Sequence, residues 1–172
     1  MEKKETIFLI DGSALAYRSY FGTIRNHLAT SKGQPTGAVY AFINSLKRII
    51  EEVRPDYLAM VFDAPEKTFR HQIYPEYKAT REAMPEDLVT QWPLMFEVVK
   101  AMNIPVITLP GYEADDVIGT LAKSAKKTGL TVYMVTGDKD FMQLIEDDIF
   151  VYKPASGQKE VEIIDKEAVV AK

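Results

Sequence analysis

Three carboxylates crowd the stretch GYEADDVIGTLAKSAK at residues 111–126: Glu113, Asp115 and Asp116. Four more stand just beyond apolar runs elsewhere. Asp11 follows TIFLI (6–10), Asp63 follows YLAMVF (57–62), and Asp138 and Asp140 follow TVYMV (131–135). Two carboxylates about 4 Å apart repel by about 4 kcal/mol at an effective dielectric near 20, so a cluster of them calls for protons or for cations. The donor set limits which cation. The chain has no cysteine and two histidines, His27 and His71, which leaves oxygen ligands and favours a hard ion, Mg²⁺ or Mn²⁺, over zinc. Each acid also has a structural use. Asp11 and Asp138 lie in turn-forming contexts, and Glu113 to Asp116 suit a helix start, where carboxylates cap free N–H groups and complement the dipole. Taken singly, each fits that use; the arrival of seven acids at the ends of four apolar runs is what argues for a site. On an ideal helix Glu113 and Asp116 share a face, while Asp115 is turned by about 200° from Glu113. All three reach one pocket only if Glu113 sits at the very first turn.

A second stretch with chemical potential is FRHQIYPEYKATR (69–81), in which Arg70, Lys78 and Arg81 are interleaved with Phe69, Tyr74 and Tyr77. Cations that track phosphates and rings that stack on bases suit a single strand of nucleic acid. The alternative is an exposed loop whose tyrosines fold back on the core. Its place just after Asp63 favours the functional reading, and Lys78 and Arg81, three apart, would grip one phosphate together from a single helical turn. Lys47-Arg48 and Lys126-Lys127 read as solvated helix faces, and neither histidine has a visible partner.

These residues need elements to position them. A chain of 172 residues, 47% hydrophobic, is long enough for one domain with a sizeable core, and no repeat or Gly/Ser linker divides it. The candidate strands are 6–10, 57–62, PVITL (105–109), 131–135 and DIFVY (148–152). Between them, 38–53, 86–102 and 113–127 have helical periodicity, with Pro93 inside the second either kinking it or splitting it. Strands alternating with helices predict an α/β fold, a central, mostly parallel, twisted sheet with helices on both faces. Ligands of such sheets bind beyond the carboxyl ends of the strands, where all the acids fall. No run approaches the roughly 18 apolar residues of a membrane span, and the apolar part of residues 1–12 is too short for a secretory signal, so a cytoplasmic location is expected. The net charge of −4 argues against a broad nucleic-acid-coating surface and leaves room for a local basic strip.

At this point the chain resembles a known family: the 5′-nuclease domain of bacterial DNA polymerase I, kin of flap endonucleases within the PIN-like group. The resemblance rests on FLIDGSALAYRSYF (8–21), VFDAPEKTFRHQIYPEYKATR (61–81), MPEDL (84–88), GYEADDVIGTLA (111–122) and TGDKDFMQL (136–144), in that order. It implies that Asp11, Asp63, Glu113, Asp115, Asp116, Asp138 and Asp140 hold or orient two divalent ions, Mg²⁺ or Mn²⁺. It implies that Lys78 and Arg81 stand on a helical arch as catalytic cations, with Tyr77 near the terminal base and Arg70 on the phosphate path. The implied activity is hydrolysis of phosphodiesters near DNA 5′ ends, flaps and junctions, including RNA primers on DNA, in replication and repair beside the chromosome. The ions would supply an activated water and stabilise the leaving oxygen. A helix-hairpin-helix region, and in the polymerases further domains, would be expected beyond EIIDKEAVVAK, so residues 1–172 read as the catalytic half of a nuclease domain. A binding module unable to turn over, and a PIN-type ribonuclease, are the competing expectations.

Overall fold

Alternation within the first apolar run sets the architecture. Phe8 and Ile10 point into one buried cluster and Leu9 into another, so the strand that carries them is covered on both faces. The computed structural model describes residues 4–155 and 160–171; the ends of the single domain expected over 1–172 and residues 156–159 lie outside the described residues. Strand β1 (Thr6–Asp11) sits at the centre, parallel to β2 (Tyr57–Val61) on one side and to β4 (Thr131–Val135) on the other. With β3 (Val106–Ile107), β5 (Ile149–Lys153) and β6 (Glu162–Ile164), the sheet order is β3-β2-β1-β4-β5-β6, parallel except for β6.

Helices α1 (Gly12–Thr23), α2 (Gly37–Arg48) and α4 (Glu86–Ala101) cover one face, burying Leu15, Phe42, Leu46, Met95 and Val99 against Phe8, Ile10 and Met60. Helix α5 (Ala114–Lys127) covers the other with Val117, Ile118 and Ala122 against Leu9, Val61 and Met134. Each fully buried Leu, Ile or Phe contributes about 1.5–3 kcal/mol, so burial on both faces anchors β1 and its neighbours β2 and β4. The chain runs outward from β1 to β2 and β3, then returns through α5 to β4 on the far side of β1. That reversal opens a crevice beyond the carboxyl ends of β1 and β4.

Several expected boundaries move, each for a physical reason. The strand expected over 105–109 shortens to Val106–Ile107 because Pro105 and Pro110 bracket it and offer no N–H to a ladder. The helix expected over 38–53 is α2 followed by a wide π turn, Ile49–Val53, that ends at Arg54 in the left-handed region, φ 51°. Pro93 neither ends nor divides α4; the carbonyl it leaves without an N–H belongs to Val89, itself exposed. Helix α1, the short helices α3 (Phe69–Ile73) and α6 (Lys166–Val170) and the antiparallel edge β6 are additions to the sequence reading.

One buried polar side chain ties the helical layer together. Thr36 gives α2 no side-chain cap; instead Gln91 of α4, 2% exposed, accepts hydrogen bonds from the N–H groups of Ala38 (2.9 Å) and Val39 (3.2 Å). Its amide nitrogen donates to the carbonyl of Asp87 at 2.8 Å. Gln91→Leu leaves buried donors at the start of α2 without an acceptor, a loss of about 2 kcal/mol. The expected outcome is a thermal midpoint lower by about 4–8 °C with the far-ultraviolet spectrum unchanged; an unchanged midpoint would show that water replaces the amide at no cost.

Candidate active site

Each acid is placed by the element it ends or begins. Asp11 closes β1 and caps α1: its Oδ1 accepts the Ala14 N–H at 2.9 Å, and its Oδ2 accepts the Thr136 hydroxyl at 3.0 Å across the β1–β4 crevice. The residue after it must be glycine, because a Cβ at Gly12 would stand 2.7 Å from the Phe62 ring. Ser13 Oγ accepts the Asp63 N–H at 3.1 Å, pinning the exit of β2 to α1, and Asp63 Oδ1 accepts the N–H of Ala114, the first residue of α5, at 2.9 Å. Past β4, Thr136 Oγ1 accepts the Asp138 N–H at 3.1 Å, and Asp138 Oδ1 accepts the Asp140 N–H at 2.9 Å, capping the 3₁₀ turn Lys139–Leu144. The positioning hydroxyls of Ser13 and Thr136 were missed in the sequence reading; the signal is a hydroxyl residue two positions from an acid at a strand end.

Glu113 is the N-cap of α5, one step before the first turn, and Asp116 Oδ2 accepts the Glu113 N–H at 3.1 Å in a capping box. These two acids face cations. Arg70 grips Asp116 with both terminal nitrogens, at 2.6 and 2.8 Å, and its Nη1 lies 3.5 Å from Glu113. Lys78 Nζ donates to Glu113 Oε1 at 2.6 Å, and the Tyr77 hydroxyl donates to Glu113 Oε2 at 3.1 Å. The large angle between Asp115 and its helical neighbours therefore divides the acids instead of gathering them. Asp115 looks toward Asp11, Asp63 and Asp138, and among the described residues none of these four is paired with a cation.

The charges record that division. Burial first, then the facing Asp63 and Asp138, outweigh the hydrogen bonds from Ala14 and Thr136 and raise the Asp11 carboxyl to about 6. Asp115 is pushed up to about 7, first by the protein around its carboxyl and then by Asp11, Asp138, Asp63 and Glu113, although the residue as a whole is exposed. Asp116, held by Arg70, falls below the usual carboxylate range, and Arg70 rises in turn. Burial works against the Lys78 charge, but its hydrogen bond and attraction to Glu113 leave it above the ordinary lysine range.

Two adjoining cavities hold the seven acids together with Arg70, Tyr77, Lys78 and Arg81. One, of about 570 Å³, is lined by Arg70, Tyr77, Asp116 and Asp140 among others, and one of about 590 Å³ by Asp11 and Asp63; Lys78, Arg81, Glu113, Asp115 and Asp138 border both. The helical arch is corrected. Residues 74–81 form successive turns, closed by Tyr77 N–Tyr74 O, Ala79 N–Glu76 O and Arg81 N–Lys78 O bonds of 2.9, 3.0 and 3.0 Å, and Lys78 is left-handed at φ 57°. Lys78 and Arg81 therefore do not share a helix face, although both still edge the same cavities. His71, left without a role, caps α3: its Nδ1 accepts the Thr68 N–H at 3.1 Å. Among the described residues no three acidic or histidine side chains are gathered closely enough to hold one ion by themselves.

A parallel sheet with acids at its switch point and a basic segment above them is the arrangement of a nuclease-like α/β domain. Residues 6–172 match the family model described as 5′-3′ exonuclease, N-terminal resolvase-like domain, and the chain belongs to that family. A 5′-3′ exonuclease of Aquifex aeolicus is 42% identical over 98% of the chain, and a DNA polymerase I of Chloroflexus aurantiacus is 44% identical over 95%. The chain spans 56% of the first and 17% of the second. Among solved structures, T5 5′-exonuclease with bound divalent zinc ions superposes with a TM-score of 0.66 at 18% identity, over 92% of the chain and 58% of its own. The catalytic core of Rad2 in complex with DNA gives 0.55 at 19%, over 98% and 50%. Those two likenesses establish a shared fold.

Because Asp11 and Asp115 keep their protons to about 6 and about 7 against an ordinary 3.8, the folded metal-free chain binds more protons than the unfolded chain across that interval. Their contribution to stability therefore falls as pH rises through the interval. Asp115→Asn is expected to stabilise the metal-free chain by about 1 kcal/mol above pH 8, once solvent screening is allowed for, and by almost nothing near pH 4. Urea unfolding of both proteins at the two pH values measures this; a difference independent of pH would mean that neither burial nor the facing acids raises the Asp115 carboxyl.

Proposed function

We propose that this chain is the catalytic part of a divalent-metal-dependent 5′ nuclease that hydrolyses DNA near flaps and single-stranded 5′ ends. The observation that carries the reading is the set of four aspartates, Asp11, Asp63, Asp115 and Asp138, that face one another without a cation while Lys78 and Arg81 edge the same cavity. Family membership and the 42% identity to a 5′-3′ exonuclease support it.

The residues fit a hard ion. The donor set is all carboxylate, two of its members have raised pKa values that a dication would reverse, and the spread of the set suits Mg²⁺, which keeps several of its own waters. Asp11, Asp63, Asp115 and Asp138 would hold one or two such ions, with Asp140 and Glu113 at the margins. Bound there, the ions supply an activated water and neutralise charge at the scissile phosphate. The chain's own residues do the rest. Lys78 and Arg81 lie where phosphoryl oxygens would enter and offset the charge growing on them. Lys78 reaches a phosphate by exchanging its bond to Glu113 for one to the substrate. Tyr77, whose ring is 5.1 Å from Lys78 Nζ, presents a stacking face to a terminal base. Arg70, locked on Asp116, braces the start of α5. Substrates of this form include displaced flaps and RNA primers on DNA.

The test is cleavage of a 5′-flap DNA in Mg²⁺ and in Mn²⁺. Asp115→Asn and Asp11→Asn, which keep the size and the caps, are each expected to lower kcat by about 10²-fold or more, and Lys78→Ala by about 10²-fold, with unchanged circular dichroism. Binding in Ca²⁺ without product in Mg²⁺ would mark a binding module, and cleavage confined to RNA would mark a ribonuclease. With about four phosphates contacted, the log–log salt slope on single strands should be near −3.

A further inference from the structure

The loop between β3 and α5 carries an exposed ring that the proposed chemistry does not use. Tyr112 is 48% exposed and stands with its ring centroid 5.7 Å from that of Phe69, itself 37% exposed. The pair is rigidly presented, because the Phe69 N–H donates to the carbonyl of Gly111 at 2.9 Å and Gly111 turns the loop at φ 86°, a conformation that favours glycine. The Arg70 guanidinium lies 4.7 Å over the Phe69 ring, and its bidentate grip on Asp116 fixes it there. Ile73, one helical turn beyond Phe69, is 78% exposed and extends the apolar surface. Rings of this size usually contribute to a core or an interface.

We infer that Phe69 and Tyr112, with the Arg70 guanidinium between them and the catalytic cavity, form a stacking platform for unpaired bases of a single-stranded 5′ flap. The inference rests on the proposed nuclease reading and extends it. Two features select this occupant over a protein partner. The platform is continuous with the cavity bordered by Lys78 and Arg81, through Arg70, which belongs to both. Alternating cations and aromatic faces match a chain that alternates phosphates and bases. Tyr77 packs on Lys78 and bonds Glu113, whereas Phe69 and Tyr112 pack on each other, so the platform is a subsite separate from Tyr77.

The experiment measures binding by fluorescence anisotropy in Ca²⁺, with the full chain and nicked duplexes that carry no flap, a six-nucleotide flap, or a six-nucleotide flap of abasic sites. The wild type is expected to bind the base-bearing flap about 10-fold more tightly than the abasic one. Phe69→Leu combined with Tyr112→Leu is expected to remove that difference while leaving the abasic and flapless affinities unchanged; Tyr112→Phe is expected to keep it. A double variant that retains the full preference for bases, or that weakens all three DNAs alike, overturns the platform alone. A wild type with no preference for any flap overturns the platform and the nuclease reading together.

Discussion

Mutual repulsion among carboxylates is the constraint around which this end of the molecule is built. Four aspartates face one crevice, and the fold keeps them there by giving most of them a backbone N–H to accept: Ala14 for Asp11, Ala114 for Asp63, Asp140 for Asp138. A carboxylate that accepts backbone hydrogen bonds is held in place at a charge density that free side chains would escape by turning into solvent. The same bonds cap α1, start α5 and close the turn after β4. Structural and chemical readings of these acids, which look like rivals in the sequence, are therefore one arrangement: the cap fixes one oxygen and leaves the rest of the group facing its neighbours.

The other half of the cluster is resolved differently. Glu113 and Asp116 meet Lys78, Arg70 and the Tyr77 hydroxyl from the basic segment, so among the described residues the protein supplies its own counter-ions on one side of α5 and none on the other. Lys78 adopts a left-handed backbone to do so, at a cost of about 1–2 kcal/mol, which its short bond to a nearly buried Glu113 offsets. The contacts are exchangeable by nature. A phosphodiester oxygen offers Lys78 a negative charge as Glu113 does, and under the proposed function the exchange would turn a closed internal pair into a substrate contact.

Much of this was legible before the structure. The covering of the sheet on both faces, the order of strands and helices along the chain, and the delivery of acids to one rim all follow from short apolar runs that lead into acids and alternate with helical segments. What escaped was set by tertiary contacts. Helix α1 carries too many small and polar residues to announce itself, and it forms because Asp11 caps it and Leu15, Ala16 and Tyr20 find the sheet. Gln91 reads as an ordinary helix residue until α2 lacks a cap. Spacing of three between Lys78 and Arg81 implies a shared helical face only if the backbone is helical, and Pro75 and the turns after it break that condition. The split between Asp115 and the Glu113/Asp116 pair is present in the helix geometry; in the sequence it looks like an obstacle to a common pocket, whereas the molecule uses it to sort the acids.

The site is also a product of long-range pairing. Asp11 and Thr136 are 125 residues apart and meet only when β1 and β4 are side by side, as they are at the reversal of strand order. None of the local segments can assemble the four-aspartate crevice, so its repulsion exists only in the assembled sheet and is sustained by the two-faced burial of β1 and β4. That places the electrostatic cost on well-packed strands, with Ile10, Val132 and Met134 fully buried beneath it. A softer scaffold would relax by letting the strand ends separate, and Asp11 would then lose both the Thr136 hydroxyl and the charges that raise its pKa. Rigidity in the central strands is thus the condition for charge density at their ends, and the basic segment above, held by exchangeable ion pairs, is the part left free to respond.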